Sequence, residues 1–263
     1  MIEKTNIKFD KKIGEGAFGV VYRVIALGKS YALKIEKRKG NLENELRVLS
    51  LLNHPSIPQI IAKGEFRGYK FIVMPFFKLS LVQILLYNKN YFTPKTIAAI
   101  AWNTVDILEY IHSMNMIYRD LKPENIMIGT NNRIYLVDFG MCAFSFEAIK
   151  GQIRGTLRYA SINTHKGDVV RFDDDLESLC YLLVFLLTGS LPWFKESKNE
   201  KILSMKMNVN YQKLGLGKKW ENLVIGIINR SLGCKAIKER LSEIINLNGP
   251  CEKWNSRSIF CCL

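Results

Sequence analysis

Apolar and polar positions alternate from Lys8 to Ile13, resume from Val20 to Leu27 after a glycine-rich stretch, and return from Tyr31 to Glu36 after Gly28. This predicts three short strands joined by turns. The period then lengthens. Leu42, Leu46, Leu49 and Leu52 recur at helical spacing, which predicts a helix over Leu42–Leu52. Two more strand-like runs, Ile57–Phe66 and Tyr69–Phe77, flank Gly68. From Leu79 onward the pattern is helical. Thr93–Met114 opens on Thr-Pro, a cap followed by a first-turn proline, and carries Ile97, Ile100, Ala101, Val105, Leu108 and Ile111. Asp174–Thr188, Lys198–Met207, Lys218–Ser231 and Ile237–Ile245 are further predicted helices, interrupted only by short strands at Ile126–Ile128 and Ile134–Val137. The expected class is α+β: a β-rich lobe over 1–77, a larger helical lobe over 78–246, and a C-terminal tail over 247–263.

A chain of 263 residues with 48% hydrophobic content has ample material for a buried core. Charges run through Met1–Lys12, so no secretory leader is expected. The most apolar stretch, Leu176–Phe194, is broken by Thr188, Gly189, Ser190 and Pro192 and starts beside Asp173, Asp174, Asp175 and Glu177. It reads as a buried helix, not a membrane span, and an intracellular protein, cytoplasmic or nuclear, is expected. The six cysteines (142, 180, 234, 251, 261 and 262) contain no two C-x-x-C pairs, which gives a zinc site no support. Lys plus Arg exceed Asp plus Glu by 38 to 24, a net charge of +14. Such a field favours acidic partners, although lysines also simply keep a surface soluble.

Two strings carry chemistry. Gly14-Glu15-Gly16-Ala17-Phe18-Gly19 allows backbone to approach phosphates closely and donate N–H groups to them. A dinucleotide-binding loop of similar spelling must open a helix. Here Val20-Val21-Tyr22-Arg23-Val24-Ile25 is strand-like, so a lid over ATP phosphates fits better. Lys34, on the next strand, can hold those phosphates if a carboxylate fixes it; Glu45 is the expected partner and Glu43 the reserve. The second string is Tyr118-Arg119-Asp120-Leu121-Lys122-Pro123-Glu124-Asn125, followed thirteen residues later by Asp138-Phe139-Gly140. Asp120 suits acceptance of a hydroxyl proton, and Lys122 suits neutralising a transferring phosphoryl group. Asn125 and Asp138 offer the hard oxygens that magnesium prefers.

In order and spacing these motifs resemble the eukaryotic protein kinases from about Lys11 to Arg240, which implies the bilobal kinase fold, ATP and Mg2+. The nucleotide site so implied comprises Ile13, Gly14, Glu15, Gly16, Ala17, Phe18, Gly19, Val21, Ala32 and Lys34, with Met74, Phe76 and Phe77 at the hinge. Lysine two residues after Asp120 is the serine/threonine pattern. Gly155-Thr156-Leu157-Arg158-Tyr159-Ala160-Ser161-Ile162-Asn163, then Asp174-Asp175-Leu176-Glu177-Ser178-Leu179 and Gly189-Ser190-Leu191-Pro192-Trp193, resemble the casein kinase 1 family, in which Ser-Ile-Asn replaces the usual Ala-Pro-Glu. The resemblance implies a monomer without an activation-loop switch, Asp175 bracing the catalytic loop, and preference for acidic or already phosphorylated protein sites read by Arg158. Lys150, Arg154, Lys166 and Arg171 are candidates to extend that positive surface. Nucleic acid is not an expected partner.

The chain departs from the family at Tyr118, where His is usual, and at the hinge Met74-Pro75-Phe76-Phe77, where Pro75 has no N–H to offer. The loop from Gly140 to Gly155 is short, and 195–218 matches no family string. Cys261 and Cys262, near Lys253, Arg257 and Phe260, suit S-acylation and a membrane tether; free thiols are the plain alternative. Unchanged membrane partition after exchange of both for serine removes the tether. The competing functional reading is a pseudokinase scaffold, marked by loss of Lys34, Asp120, Asn125 or Asp138; all four are present.

Overall fold

Strands β1 (Lys8–Glu15), β2 (Gly19–Ala26) and β3 (Lys29–Glu36) form an antiparallel meander in the computed structural model, which describes residues 7–87, 92–130, 133–147 and 156–246. The two-residue turn between β2 and β3 places both Leu27 (φ 50°) and Gly28 (φ 71°) in the left-handed region. That is the tight turn whose twist matches paired strands. After helix α1 (Glu43–Leu51), strands β4 (Ala62–Phe66) and β5 (Tyr69–Pro75) repeat the device with Arg67 (φ 52°) and Gly68 (φ 80°), and the five-stranded sheet closes in the order β1-β2-β3-β5-β4. β1 runs two residues beyond its predicted end, so Gly14 and Glu15 lie in the strand and the turn is confined to Gly16–Phe18.

The helical lobe begins with β6 (Leu79–Ser80), α2 (Leu81–Tyr87) and α3 (Pro94–Ser113). Thr93 caps α3 by accepting from the Thr96 N–H at 3.1 Å, with Pro94 in the first turn. Three small strands follow: β7 (Met116–Ile117), then β8 (Ile126–Ile128) and β9 (Ile134–Leu136), which pair as a hairpin. β10 (Ala143–Phe144) returns to pair with β7. Helices α4 (Ile162–Lys166), α5 (Phe172–Thr188), α6 (Asn199–Asn208), α7 (Lys218–Ile228) and α8 (Cys234–Asn246) complete the lobe. One continuous core joins Leu42, Val48 and Leu49 around α1 to α3, α5 and α7. α5 buries Leu179 through Leu183 without a break, and among the described residues no helix is long and apolar enough to cross a membrane.

Two expectations need correction. Ile57–Ile61 is not strand: Pro55 and Pro58 remove ladder donors around Ile57, whose apolar side chain is buried in the core instead, and only Ala62–Phe66 pairs. The helical lobe also contains β6, β7 and β10, strands of two residues, too short to show a period. The tail cysteines Cys251, Cys261 and Cys262, the basic residues Lys150 and Arg154, Gly155, and the hairpin turn at Asn131 and Asn132 lie outside the described residues.

Candidate active site

A cleft of about 570 Å³ opens between the five-stranded sheet and the β8–β9 hairpin. It is lined by every residue of the implied nucleotide set except Ala17. Ala17 sits at the tip of the glycine turn, where its carbonyl accepts from Asn41 Nδ2 at 3.3 Å, and it faces a neighbouring cavity shared with Asn44, Asp120 and Gly140. Two glycines are required by close approach. A Cβ on Gly19 would stand 2.5 Å from the Ile35 carbonyl oxygen, and one on Gly140 would stand 2.9 Å from the Phe18 ring.

β3 carries Lys34 into the cleft. Its Nζ meets Glu45 Oε2 at 2.5 Å and Asp138 Oδ1 at 2.8 Å, so Glu45 is the partner, while the reserve Glu43 pairs with Lys70 at 2.6 Å. Burial alone would lower Lys34; the charges of Glu45 and Asp138 outweigh it and raise its pKa. Burial likewise works against ionised Asp138, yet Lys34 holds that carboxyl below its usual range. For fully buried Glu45, burial is the larger effect and pushes its pKa upward against Lys34, so the two carboxylates flanking one ammonium shift in opposite directions. With the lysine held charged at 2.5 Å, we assign the ion pair. Asn44, on the next face of α1, donates to the carbonyls of Gly140 (3.1 Å) and Cys142 (2.8 Å), which fastens α1 to the segment after Asp138.

In the adjoining cavity, Asp120 is 7% exposed and hydrogen-bonded on both oxygens. Oδ2 accepts from Lys122 Nζ at 2.6 Å and Asn125 Nδ2 at 3.0 Å, and Oδ1 accepts from the Thr156 N–H and hydroxyl at 3.3 Å each. Asn125 also donates to the Asp120 carbonyl at 2.9 Å, so its amide oxygen is the atom it can offer a cation. The β8–β9 pairing and the Val137 N–H to Asn125 carbonyl bond at 3.0 Å bring Asn125 and Asp138 to one end of the hairpin. Among the described residues there is no cluster of three or more His, Cys, Asp or Glu able to hold a metal alone. One carboxylate, one amide oxygen and ATP phosphates are the ligands magnesium takes in such sites, and the residues present fit it.

The loop itself is braced from below. Asp175 of α5 accepts from the backbone N–H groups of Tyr118 and Arg119, both at 2.8 Å, and hydrogen-bonds His112 Nε2 at 2.9 Å. Arg119 and Asp138 hold left-handed backbone (φ 72° and 62°), a conformation that needs such support. Tyr118 is fully buried, donates its hydroxyl to the Val137 carbonyl at 2.5 Å and packs edge-on against Phe139. At the hinge, Phe77 stacks on Tyr135 at 4.2 Å and Arg23 lies over Phe76 at 5.1 Å. Arg158 is exposed outside the cleft; its Nε donates to the Phe194 carbonyl and its guanidinium covers the Phe194 ring at 4.3 Å. Sequence reasoning missed Met127, Gln83 and Thr156 in the cleft lining. The alternation within β8, with Ile126 and Ile128 buried and Met127 half-buried, was the available signal for the first.

The chain is similar in sequence to known proteins. A family model described as protein kinase domain matches residues 7–246. The chain is 41% identical over 201 residues to a probable casein kinase I homolog of Encephalitozoon cuniculi, covering 70% of this chain and 63% of that protein. It is 36% identical over 250 residues to casein kinase I homolog 3 of Schizosaccharomyces pombe, covering 85% of this chain and 57% of that one. The chain thus spans less than two thirds of either relative.

Proposed function

The chain belongs to the protein kinase family, and from that premise we propose that it transfers the γ-phosphate of ATP to serine or threonine hydroxyls of proteins, favouring acidic or already phosphorylated sites. The observation that carries the reading is the convergence of Lys34, Glu45, Lys122, Asn125 and Asp138 on one cleft, with Asp120 bonded to Lys122 and Asn125 and lining the adjoining cavity that shares Lys122 and Asp138. In this reading Lys34, fixed by Glu45, holds the α- and β-phosphates under the glycine-rich segment Gly14–Gly19, whose turn is Gly16–Phe18. Asp120 orients the substrate hydroxyl and accepts its proton, and Lys122 offsets charge on the transferring group. Asn125 and Asp138 would hold magnesium, which would supply charge neutralisation at the phosphates.

Acidic preference is proposed from the similarity to proteins named casein kinase I homologs together with the exposure of Arg158, Lys166 and Arg171. The membrane tether at Cys261 and Cys262 belongs to the same proposal. Lys34, Asp120, Asn125 and Asp138, whose loss would mark a pseudokinase scaffold, are all present and brought together, which supports transfer over that alternative. The test is transfer to matched serine peptides. Peptides with Asp, Glu or phosphoserine before the target serine are expected to show kcat/KM about tenfold or more above a neutral peptide. Equal rates would remove the acidic preference.

A further inference from the structure

The machinery above leaves Lys206 unused, although this lysine of α6 is only 3% exposed. A buried ammonium is costly unless every donor is satisfied. Here all three are: Nζ donates to the carbonyls of Leu157 (2.9 Å) and Ala160 (2.5 Å) and lies 2.9 Å from His165 Nε2. The rings of Tyr181 and Trp193 cover it at 4.4 and 5.2 Å. The third partner must accept, and the structure says why it does. Asn199 Nδ2 donates to the His165 carbonyl at 3.1 Å, which turns Asn199 Oδ1 toward His165 Nδ1. With its proton on Nδ1, His165 keeps a lone pair on Nε2 for the ammonium, which sits between that nitrogen and the Leu157 carbonyl, itself 3.1 Å from Nε2.

Leu157 and Ala160 bracket the stretch that faces substrate. Thr156 reaches Asp120, and the Arg158 carbonyl accepts from Trp193 Nε1 at 2.8 Å. We propose, resting on the protein kinase reading above, that Lys206 is a positioning residue for the protein substrate: its ammonium fixes residues 156–160 so that Thr156 meets Asp120 while Arg158 faces the acidic side of the incoming peptide. Of residues 156–160 only Thr156 lines the nucleotide cleft, and Lys206 itself does not, so ATP, placed by Lys34 and the glycine-rich strands, is expected to depend little on this cage.

The groups facing the ammonium are His165 on α4 and Glu177 and Tyr181 on α5. Burial pushes Lys206 down to about 7, against the opposing charge of Glu177. Burial and the Lys206 charge keep His165 below its ordinary value, so it stays a neutral acceptor. As pH rises through that range the ammonium becomes an amine with two donors for three acceptors, and the segment loosens.

The test measures KM for a non-phosphorylated acidic serine peptide and for ATP, in the parent and in Lys206→Met. The variant is expected to raise peptide KM about tenfold at about pH 6, because charge-assisted bonds are lost, and to leave ATP KM within about twofold. The parent is expected to raise its peptide KM several-fold between about pH 6 and about pH 8.5, a rise that the variant lacks. An unchanged peptide KM in Lys206→Met, ATP and peptide KM rising together, or identical pH profiles would each overturn the assignment. If the variant does not fold, a flat peptide KM in the parent overturns it alone. A parent that transfers no phosphate at all strikes the kinase reading, a distinguishable outcome.

Discussion

Asp120→Asn is expected to lower phosphoryl transfer about 10²–10⁴-fold while leaving nucleotide affinity within a few-fold. The substitution keeps the size of the side chain. It removes the negative charge that Lys122 approaches at 2.6 Å and the lone pair that takes the hydroxyl proton. Lys34, Glu45 and the Gly14–Gly19 segment are untouched, so ATP binding, read by fluorescent-nucleotide titration, is the internal control. Transfer close to the parent rate would place the base elsewhere.

Asp175→Ala is expected to cost about 3–5 kcal/mol of unfolding free energy, because it strips the partner from two buried backbone N–H groups and from a charged imidazole. His112 supplies a pH signature for the same contact. Burial alone would lower His112, but the hydrogen bonds to Asp175 and Cys234 raise it to about 9. A group raised in the folded state stabilises it fully below its unfolded value, about 6.5, and loses that contribution as pH rises through about 9. The parent should therefore lose about 3 kcal/mol between about pH 6 and about pH 9.5. The variant should show little of that slope. Denaturant titrations at both pH values measure it, and parallel slopes in the two proteins would remove His112–Asp175 as the source.

The strands and long helices were legible because a buried face imposes a period on the sequence. α3 and α5 begin within two residues of expectation, and both tight turns of the sheet coincide with Gly28 and Gly68. The site was legible through spacing: Asp120, Lys122, Asn125 and Asp138 are brought together by the β8–β9 hairpin that the sequence placed between them. The Ile57 run carried its own local signal against a strand, since Pro55 and Pro58 remove ladder donors there. Glu45 was the expected partner with Glu43 in reserve; both stand in the first turn of α1, and Glu45 is the one that meets Lys34. What stayed hidden depends on distant partners. Lys206 was hidden most deeply, because its partners Leu157, Ala160 and His165 lie 41–49 residues away and two of them offer only backbone.

The most direct measurement of the central claim is transfer of radiolabel from γ-labelled ATP by the purified chain, with magnesium, to an acidic serine peptide, followed by identification of the labelled residue. The account predicts label on phosphoserine that requires magnesium. No label, with ATP bound to the protein, would contradict it and leave a nucleotide-binding scaffold.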